Sequence, residues 1–294
     1  MRGLNPEELT RCFHTNGSIF PQIISAFRRE IYHYHRTNPR PMPWRETDDP
    51  YRILVSEIML QQTQVERVRL KYAEFLSAFP SVENLAAAPL SDVLQLWQGL
   101  GYNRRAVALQ RCAGEIVTRW GGQFPTSIDG LQSLPGIGPY TARAVASFAF
   151  GVADPLIETN IRTVCIHFFF HGHEQVSDRQ IMPLVAATLD RDNPREWYYA
   201  LMDYGVMLKH KHPNPGRRSS HHVQQSRFEG SNRQQRSRLV REVLRQPGII
   251  SQELCGILSA EAGVVEQNLA ALQREGFLEQ RGAGYHIVEN KKAG

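Results

Sequence analysis

The first half of the chain carries a helical pattern of apolar positions. From Ile19 to about Phe150, apolar residues recur at intervals of three and four. YRILVSEIMLQQTQVERVRLKYAEFLSAF shows this spacing clearly, and PLSDVLQLWQGLGYNRRAVALQRCAGEIV has the pattern of two helices joined by a glycine-containing turn. No stretch of residues 52–150 alternates convincingly as a strand. The sequence therefore predicts an all-α first domain.

A turn is predicted inside the first of these segments. Thr63 and Glu66 have the spacing of a capping box, so a new helix is expected to begin near Gln64. Gln61 and Gln62 then lie in the turn between two helices.

The last third of the chain changes character twice. Residues 210–237, HKHPNPGRRSSHHVQQSRFEGSNRQQRS, are polar, basic and rich in turn formers, which indicates a loop or linker. RLVREVLRQPG, SQELCGILS and GVVEQNLAALQREG then predict three helices, the second with Ser251 as its N-cap. FLEQRGAGYHIV predicts two strands around Gly282 and Gly284. Three helices and a hairpin over about 55 residues resemble a winged helix.

The positive charge of the chain is concentrated in one segment. The net charge of the 294 residues is +5, whereas Asp203–Arg245 contains ten lysines and arginines against three acidic residues. A basic segment of this kind favours a polyanionic partner, although a solvated linker explains the charge equally well.

The composition favours neither a metal site, nor a disulfide framework, nor a membrane span. No apolar run reaches the roughly 18 residues that a membrane span needs, and the N-terminus lacks the apolar stretch of a signal peptide. We therefore expect an intracellular protein, in the cytoplasm or nucleoid, with no membrane association. The cysteines lie too far apart for a CxxC site or a small disulfide framework, at Cys12, Cys112, Cys165 and Cys255. The histidines of the basic segment match no common zinc spacing, at His210, His212, His221 and His222.

A glycine turn precedes one of the predicted helices. In LPGIGPYTA, Gly136 and Gly138 lie immediately before a helix with Pro139 near its first position, which suits proline. Glycines let another backbone come close, and a helix N-terminus offers N–H groups and a positive dipole end. The combination suits a phosphate, and the alternative is a tight interhelical turn without a ligand.

This turn resembles the hairpin of a known family. Leu134–Thr141 is similar to the hairpin of the helix-hairpin-helix DNA glycosylases, and the resemblance runs from about Pro43 to Met207. Four stretches carry it in order: PWRETDDPYRILVSEIMLQQTQV, LWQGLGYNRRA, LPGIGPYTARAV and IETNIRTV. They resemble the MutY-type adenine glycosylases most strongly.

The resemblance implies a mainly α, two-lobed glycosylase fold followed by a small winged-helix domain. It also implies that the hairpin amides, around Gly136, Gly138 and Thr141, hold a DNA backbone phosphate. The predicted organisation is an N-terminal extension (1–18), a glycosylase domain (19–208), a basic loop (209–232) and a winged-helix domain (233–290).

Glu57 is the predicted general acid. It lies in the apolar run Ile53–Leu60, where Ser56 is its only polar companion, and apolar surroundings raise the pKa of a carboxyl group. By resemblance, Glu57 protonates the purine ring nitrogen as the glycosidic bond breaks. The alternative is a structural carboxylate that caps a helix or pairs with an arginine.

Glu158 is the second predicted catalytic carboxylate. It precedes the helical run NIRTVCIHFFF, where the helix dipole favours the ionised form. By resemblance, this anion stabilises the oxocarbenium-like sugar, and Asn160 positions it by hydrogen bonding. The family has Asp at this position, commonly followed by Gly, where this chain has Thr159. Either the pocket has a different shape that fits Glu, or the activity is altered or lost. The alternative is a plain acid at a helix N-terminus.

Tyr140 occupies the position where bifunctional relatives carry a Schiff-base lysine. Tyrosine cannot form that imine, and Lys209 and Lys211 lie outside the motif position, so we expect base removal without strong AP lyase activity. By resemblance, Tyr140 helps to order the nucleophilic water or the sugar. The alternative is a core aromatic.

Residues of two turns match those that enter DNA when a base is flipped out. Gln61, Gln62 and Tyr102 are expected to fill the gap, since a planar or amide side chain compensates part of the lost stacking. Arg104 and Arg105 are expected to contact phosphates. Asn103 stands where the family often has a second aromatic residue.

The iron–sulfur cluster of MutY-type enzymes is predicted to be absent. The family holds it with four cysteines spaced Cys-x6-Cys-x2-Cys-x5-Cys, and a cluster needs thiolates. The corresponding positions here are Lys209, Gly216, Ser219 and Gln225. The basic loop is predicted to take over the DNA-facing role of that region, through Lys209, Lys211, Arg217 and Arg218.

The family's C-terminal domain for an oxidised guanine partner is replaced here by the winged helix. Its candidate recognition helix, VVEQNLAALQRE, carries Glu266 and Glu275 against Arg274 alone, a poor match for a DNA groove. The winged helix is expected to grip DNA through its edges or to bind a protein.

The sequence predicts a monomeric, monofunctional DNA glycosylase without a cofactor, which acts on double-stranded DNA that contains a mispaired or damaged base. Adenine, or another purine, is the first expectation for that base. The second hypothesis is a glycosylase that removes mismatched thymine or uracil. A non-catalytic DNA-binding or regulatory protein is the alternative from another class, favoured by the departure at Glu158 and by the winged helix.

Overall fold

The computed structural model describes residues 4–16, 20–224 and 227–289. The helices are α1 (Pro6–Asn16), α2 (Pro21–Thr37), α3 (Pro50–Leu60), α4 (Val65–Ala78), α5 (Val82–Ala87), α6 (Leu90–Leu96), α7 (Arg104–Trp120), α8 (Ile128–Gln132), α9 (Pro139–Phe150), α10 (Thr159–Phe169), α11 (Asp178–Thr188), α12 (Pro194–Lys211), α13 (Asn232–Arg245), α14 (Ser251–Leu258) and α15 (Ala262–Arg274). Short 3-10 helices cover Pro43–Arg45 and Pro215–Arg218, and the strands are β1 (Ile249–Ile250), β2 (Leu278–Arg281) and β3 (Gly284–Ile287). The prediction of a mainly α fold is confirmed.

The described residues form two compact units. The first unit takes in the described residues within 1–50, 126–128 and 138–224, and the second takes in those within 51–125, 129–137 and 225–294. The chain crosses between them several times, so neither unit corresponds to one continuous segment. No helix of the described residues is long and apolar enough to cross a membrane.

The core of the first unit is an aromatic cluster that α2, α10 and α12 build together. The ring centroid of Phe27 lies 5.4 Å from that of Phe168, 5.2 Å from that of Phe169 and 5.8 Å from that of Trp197, in edge-to-face arrangements. Such pairs each stabilise a core by about 0.5–1.5 kcal/mol beyond their buried area. The cluster fixes α10 and α12 side by side.

A buried ion-pair network joins α12 to the start of the chain. Asp203 is fully buried and accepts hydrogen bonds at 2.9 Å from His35, from Arg40 and from both terminal nitrogens of Arg45. Burial opposes the ionised form of Asp203. The hydrogen bonds from His35 and Arg45 and the charges of Arg45 and Arg40 outweigh it and hold the pKa of this carboxyl below its usual value.

Asp203→Asn is expected to destabilise the protein by about 3–5 kcal/mol, because it leaves three partly buried cations without their counter-ion. The native pKa is lower than the unfolded one, so this stabilisation is complete above about pH 4 and is lost as the pH falls through the native value. Thermal unfolding between pH 3 and pH 7 should show a steep acid loss in the native protein and a flatter profile in the variant. Equal melting temperatures at pH 7 would contradict the assignment.

The second unit packs α3 to α7 around its own aromatic residues. The ring of Phe75 lies 5.0 Å from that of Phe79 and 5.9 Å from that of Trp97. The predicted start of α4 is correct, but the capping box is not. Gln64 is the N-cap, and the Thr63 hydroxyl instead donates to the carbonyl oxygens of Gln61 and Leu100, at 3.2 and 3.3 Å.

The C-terminal part of the second unit has the three helices and small sheet of a winged helix. The antiparallel sheet has the order β1-β3-β2, with Leu278 opposite Ile287 and Ile249 opposite Tyr285. Sequence patterning missed β1, because it has two residues and depends on a close approach to β3. A Cβ on Gly284 would lie 2.3 Å from the carbonyl oxygen of Gly248.

Two predicted helix boundaries in this region are wrong. The N-cap of α14 is Ile250, and Ser251 is its first helical residue. α13 begins at Asn232 after its N-cap Ser231, whose hydroxyl accepts a hydrogen bond from the Gln234 amide at 3.3 Å. The side-chain cap at Ser231 therefore starts the helix within the segment predicted as loop.

The basic loop is also shorter and more structured than predicted. α12 continues through Lys209 to Lys211, so the loop begins at residue 212 rather than at residue 209. Beyond the 3-10 helix, Val176 pairs with Ser219 in a parallel bridge. Arg218 donates to the carbonyl oxygens of Phe170 and Ile166 at 2.7 and 3.3 Å. These contacts tie the loop to the C-terminal end of α10.

Candidate active site

Glu57 lies on α3 of the second unit, in a buried stretch of the helix. Its residue surface is 8% exposed, and Ile53, Val55 and Ile58 beside it are buried as well. The apolar surroundings predicted from the sequence are therefore present. Gln61 follows one helical turn later, so the buried carboxyl and the turn predicted to enter DNA are parts of one local structure.

Glu158 is the N-cap of α10 in the first unit. One carboxylate oxygen accepts hydrogen bonds from the backbone amides of Asn160 and Ile161, at 2.6 and 2.9 Å. The other accepts one from the Asn160 side-chain amide at 3.2 Å. The predicted contact between Asn160 and the carboxylate is thus present, and it fixes both oxygens of Glu158.

Lys209 extends this contact into a chain of three side chains. Its ammonium nitrogen donates to the Asn160 side-chain oxygen at 2.6 Å, which orients the Asn160 amide towards Glu158. Gly205, one turn earlier on α12, makes the close approach possible, since a Cβ there would lie 2.4 Å from the Asn160 carbonyl oxygen. Lys209 was predicted to face DNA from a loop, and the structure places it on α12 as a partner of Asn160.

Burial sets the protonation of both charged ends of this chain. It raises the pKa of the Glu158 carboxyl, while the amides of Asn160 and Ile161 and the charges of Lys209 and Arg162 act in the opposite direction. It also lowers the pKa of the Lys209 ammonium, which the charge of Glu158 partly restores. The helix N-terminus was predicted to favour ionised Glu158, and burial outweighs that effect.

The fold restricts one of the two hairpin positions, Gly136, to glycine, but not the other, Gly138. Gly136 has a φ of +76°, and a Cβ there would lie 2.6 Å from the Ala108 Cβ, so the fold itself requires glycine. Gly138 is the N-cap of α9 with φ −83°, and a Cβ there would meet no atom within 4 Å. The fold leaves the space beside Gly138 open to an approaching group.

A pair of alanine substitutions separates these two roles. Gly136→Ala is expected to destabilise the protein by about 1–3 kcal/mol, through backbone strain and the contact with Ala108. Gly138→Ala is expected to leave the melting temperature unchanged and to weaken duplex binding, since its methyl group stands where a phosphate backbone would approach. Native affinity in Gly138→Ala would favour a hairpin without a ligand.

The hairpin continues into α9. Tyr140 is its second residue and is half-buried, whereas Thr141 is 3% exposed. The first intrahelical bond runs from the Ala142 amide to the Gly138 carbonyl at 3.0 Å. Thr141 can therefore bind a phosphate through its backbone rather than through its hydroxyl.

The two turns predicted to enter DNA share a backbone feature. Gln62 has a φ of +53° and Tyr102 a φ of +47°, a region that non-glycine residues rarely adopt. Residues held in such conformations are common at functional sites, where the surrounding structure maintains the strain. Tyr102 is also 37% exposed, which is unusual for a large aromatic ring.

Arg105 holds both turns in place. One terminal nitrogen donates to the carbonyl oxygens of Ile58, Met59 and Gln61, at 2.6–3.0 Å. The other donates to the carbonyl oxygens of residues 100 and 101 at 3.1 and 3.0 Å, and to the Thr63 hydroxyl at 3.1 Å. Burial lowers the pKa of this guanidinium to about 10. Arg105 was predicted to contact phosphates, and its terminal nitrogens are occupied instead by the backbone.

The other predicted DNA-facing cations fall into two groups. Arg217 and Lys211 are exposed, as a phosphate contact requires, and Arg104 is exposed while it lies 3.5 Å from Glu275. The guanidinium of Arg218 donates to carbonyl oxygens at the end of α10. This corrects the prediction that Arg218 faces DNA. The arginines of α13 belong to the basic segment counted in the sequence, but none of them was predicted individually as a site residue.

The residues at the family's cluster positions do not fit an iron–sulfur cluster. Lys209 is hydrogen-bonded to Asn160, and Gly216 and Ser219 offer no thiolate. Gln225 lies outside the described residues. Within the described residues no group of three or more His, Cys, Asp or Glu side chains could hold a metal ion.

Comparison with known proteins gives concordant matches. Residues 55–186 match the HhH-GPD superfamily of base excision DNA repair proteins. An adenine DNA glycosylase of Mycolicibacterium smegmatis is 36% identical over 181 residues, which cover 61% of this chain and 62% of the relative. The adenine DNA glycosylase of Homo sapiens is 35% identical over 197 residues, 63% of this chain and 36% of the relative. A solved thermostable thymine-DNA glycosylase superposes with a TM-score of 0.56 at 26% identity, over 63% of this chain and 86% of its own.

The helical fold, the hairpin and these matches agree that residues 55–186 are similar to the helix-hairpin-helix base excision DNA repair proteins of the HhH-GPD superfamily. The chain is also similar to the MutY-type adenine DNA glycosylases, as the four sequence stretches predicted. It spans 36% to 62% of the length of the curated relatives that it matches.

Proposed function

We propose that the protein is a DNA glycosylase that hydrolyses the N-glycosidic bond of a mispaired or damaged base, adenine or another purine first. The observation that carries this proposal is Glu57, a carboxyl buried on α3 one turn before the strained Gln61–Gln62 turn. The similarity to adenine glycosylases supports the same conclusion. The partner is double-stranded DNA, and the protein acts as a monomer.

In this mechanism the two carboxyl groups have different tasks. Glu57 delivers its proton to the purine ring nitrogen, and the bonding pair of the glycosidic bond leaves with the base. Ionised Glu158 stabilises the positive charge that develops on the sugar. Water then adds to the anomeric carbon of the sugar and loses one proton to bulk water, which leaves a hydroxyl group on that carbon. Asn160 and Lys209 hold the Glu158 carboxylate in one orientation. Tyr140 helps to order the water.

The same mechanism ends without strand cleavage. Lyase chemistry needs an amine that forms an imine with the sugar, and the hairpin position holds Tyr140. The Lys209 amine is hydrogen-bonded to Asn160. Borohydride should therefore trap no covalent complex with damaged DNA.

The preferred base can be identified with a panel of duplexes. Single-turnover excision is measured on A opposite 8-oxoguanine, A:G, T:G, U:G and hypoxanthine, with Glu57→Gln as the inactive control. Fastest excision of adenine supports the proposal. A thymine or uracil preference would favour the second candidate, which the similarity to a thymine-DNA glycosylase supports. Tight binding without excision of any base would favour a non-catalytic role.

Lys209 gives a prediction specific to this chain. Lys209→Met is expected to lower the excision rate by about tenfold to 10²-fold, because Asn160 and Glu158 lose their fixed orientation. The charge of Lys209 lowers the pKa of Glu158, so the acid limb of the pH–rate profile should also move to higher pH. Lys209→Arg should restore part of the rate.

Lys211→Met is the matched control, since it removes the same charge from an exposed position two residues later on α12. Because Lys211 is itself a predicted phosphate contact, its loss is expected to weaken duplex binding, whereas the single-turnover rate at saturating protein and its pH profile should match those of the native protein. A Lys209→Met profile with a lower rate and an unmoved acid limb would reduce Lys209 to a role in folding.

A further inference from the structure

The backbone that leads into Glu158 has no regular structure of its own. Residues 151–158 connect α9 to α10, and no helix or strand covers these described residues. Gly151 ends α9 with a φ of +67°, and Pro155 has no amide hydrogen to donate. Glu158 follows as the N-cap of α10. The place of its carboxylate therefore depends on the contacts that other elements make with this connecting segment.

The hydroxyl of Tyr198, on α12, makes two of these contacts. It accepts a hydrogen bond from the Leu156 amide at 3.3 Å and donates one to the Asp154 carbonyl oxygen at 2.7 Å. Tyr198 is fully buried, and burial raises the pKa of its hydroxyl above the usual value, so the hydroxyl keeps the proton that it donates. One hydroxyl thus fixes the backbone on both sides of Pro155, just before Glu158.

The same face of α12 also contacts the chain beyond Glu158. Tyr198, Gly205 and Lys209 follow one another at intervals of seven and four residues, which places them on one side of the helix. Gly205 lies against the backbone of Asn160, and Lys209 donates to the Asn160 side chain. α12 therefore contacts the chain on both sides of the catalytic carboxylate.

We infer, on the basis of the proposed function, that Tyr198 is a positioning residue for base excision, whose hydroxyl fixes the backbone that carries Glu158. Because Tyr198 is fully buried, it acts through Glu158 and not by contact with DNA. Lys209 orients the carboxylate through the Asn160 side chain, whereas Tyr198 sets the main chain before it. A shift of about 1 Å in a catalytic group can lower a rate on the order of 10²-fold.

Tyr198→Phe tests this role, because it removes the hydroxyl and keeps the ring that packs edge-to-face against Phe148 at 6.5 Å. The variant should fold, since Leu156 stays buried and Asp154 keeps its ion pair with Arg143 at 2.6 Å. Its single-turnover excision rate at saturating protein should fall by about tenfold to 10²-fold, with native duplex affinity.

Hydrogen exchange at the Leu156 amide, followed by NMR without DNA, reports the same anchor independently of catalysis. The amide loses its acceptor in Tyr198→Phe, so its exchange should be about tenfold faster than in the native protein.

Tyr199→Phe is the matched control. It removes the same group from the next residue of α12, whose ring stacks on the same Phe148 at 4.7 Å. Its excision rate and its Leu156 exchange should both be native.

A double variant separates positioning from a general structural role. Tyr198→Phe combined with Glu158→Gln should excise no more slowly than Glu158→Gln alone, because the place of a neutral group no longer sets the rate. An additive loss would make Tyr198 a structural residue and overturn the inference. Equal rates and equal Leu156 exchange in Tyr198→Phe and Tyr199→Phe would also overturn it, while excision by the native protein left the proposed function intact. A native protein that excised no base would overturn both.

Discussion

Glu57→Gln is expected to lower the single-turnover rate of base excision by on the order of 10²- to 10⁴-fold, the range that a positioned general acid contributes. The carboxamide has nearly the shape of the protonated carboxyl group, so the buried side chain on α3 keeps its volume. It cannot transfer a proton to a leaving purine. Duplex affinity should therefore remain near the native value while excision is lost.

The control is Glu66→Gln, on the next helix of the same unit, where the side chain is 83% exposed. That variant should excise at the native rate. A native single-turnover rate in Glu57→Gln would remove Glu57 from the mechanism. If Glu57→Gln lowers the melting temperature and Glu66→Gln does not, Glu57 is instead a structural carboxylate.

The parts of the site that the sequence predicted correctly are those set by local patterns. The turn at Gln61 and Gln62 was placed correctly although the capping box used to predict it is absent, and the start of α9 follows from glycine and proline beside each other. The position of Glu158 directly before α10 is also predicted from neighbouring residues. In each of these, a few neighbouring residues contain the whole signal.

The predictions that failed depend on partners far away in the chain. Arg105 looked available for phosphates because its acceptors are backbone carbonyls, which no sequence pattern displays. Lys209 looked like part of a polar loop, whereas its partner Asn160 lies on another helix. β1 is too short to show alternation and is defined by its pairing with β3.

The ionisation of Glu158 also depends on one local effect, which the sequence shows, and on one tertiary effect, which it does not. The helix N-terminus is readable from the sequence and favours the anion, with an effect of about 0.3–1 kcal/mol at exposed sites. Burial is a tertiary property, and it raises the pKa of this carboxyl despite the amide donors. The charge on Glu158 therefore depends on its surroundings more than on its place at the helix start.

Two substitutions at Glu158 test whether the site is built for a glutamate. Glu158→Gln should lower excision by about 10²- to 10³-fold, because the developing positive charge on the sugar loses its counter-charge. Glu158→Asp keeps the charge and remains a good N-cap, so the protein should stay folded. It retracts the carboxylate by one methylene from the Asn160 side-chain amide, now at 3.2 Å, and should be slower than native by up to about 10²-fold.

The opposite result for Glu158→Asp would be equally informative. Faster adenine excision would mean that the native chain has departed from the chemistry of its relatives, and a different substrate or a binding role would then be favoured. Thr159, the exposed first residue of α10, is tested together with it, since the family commonly has glycine there. If Glu158→Asp with Thr159→Gly excises no faster than Glu158→Asp alone, the two positions act independently, and the rate is set by how far the carboxylate reaches from the helix N-terminus.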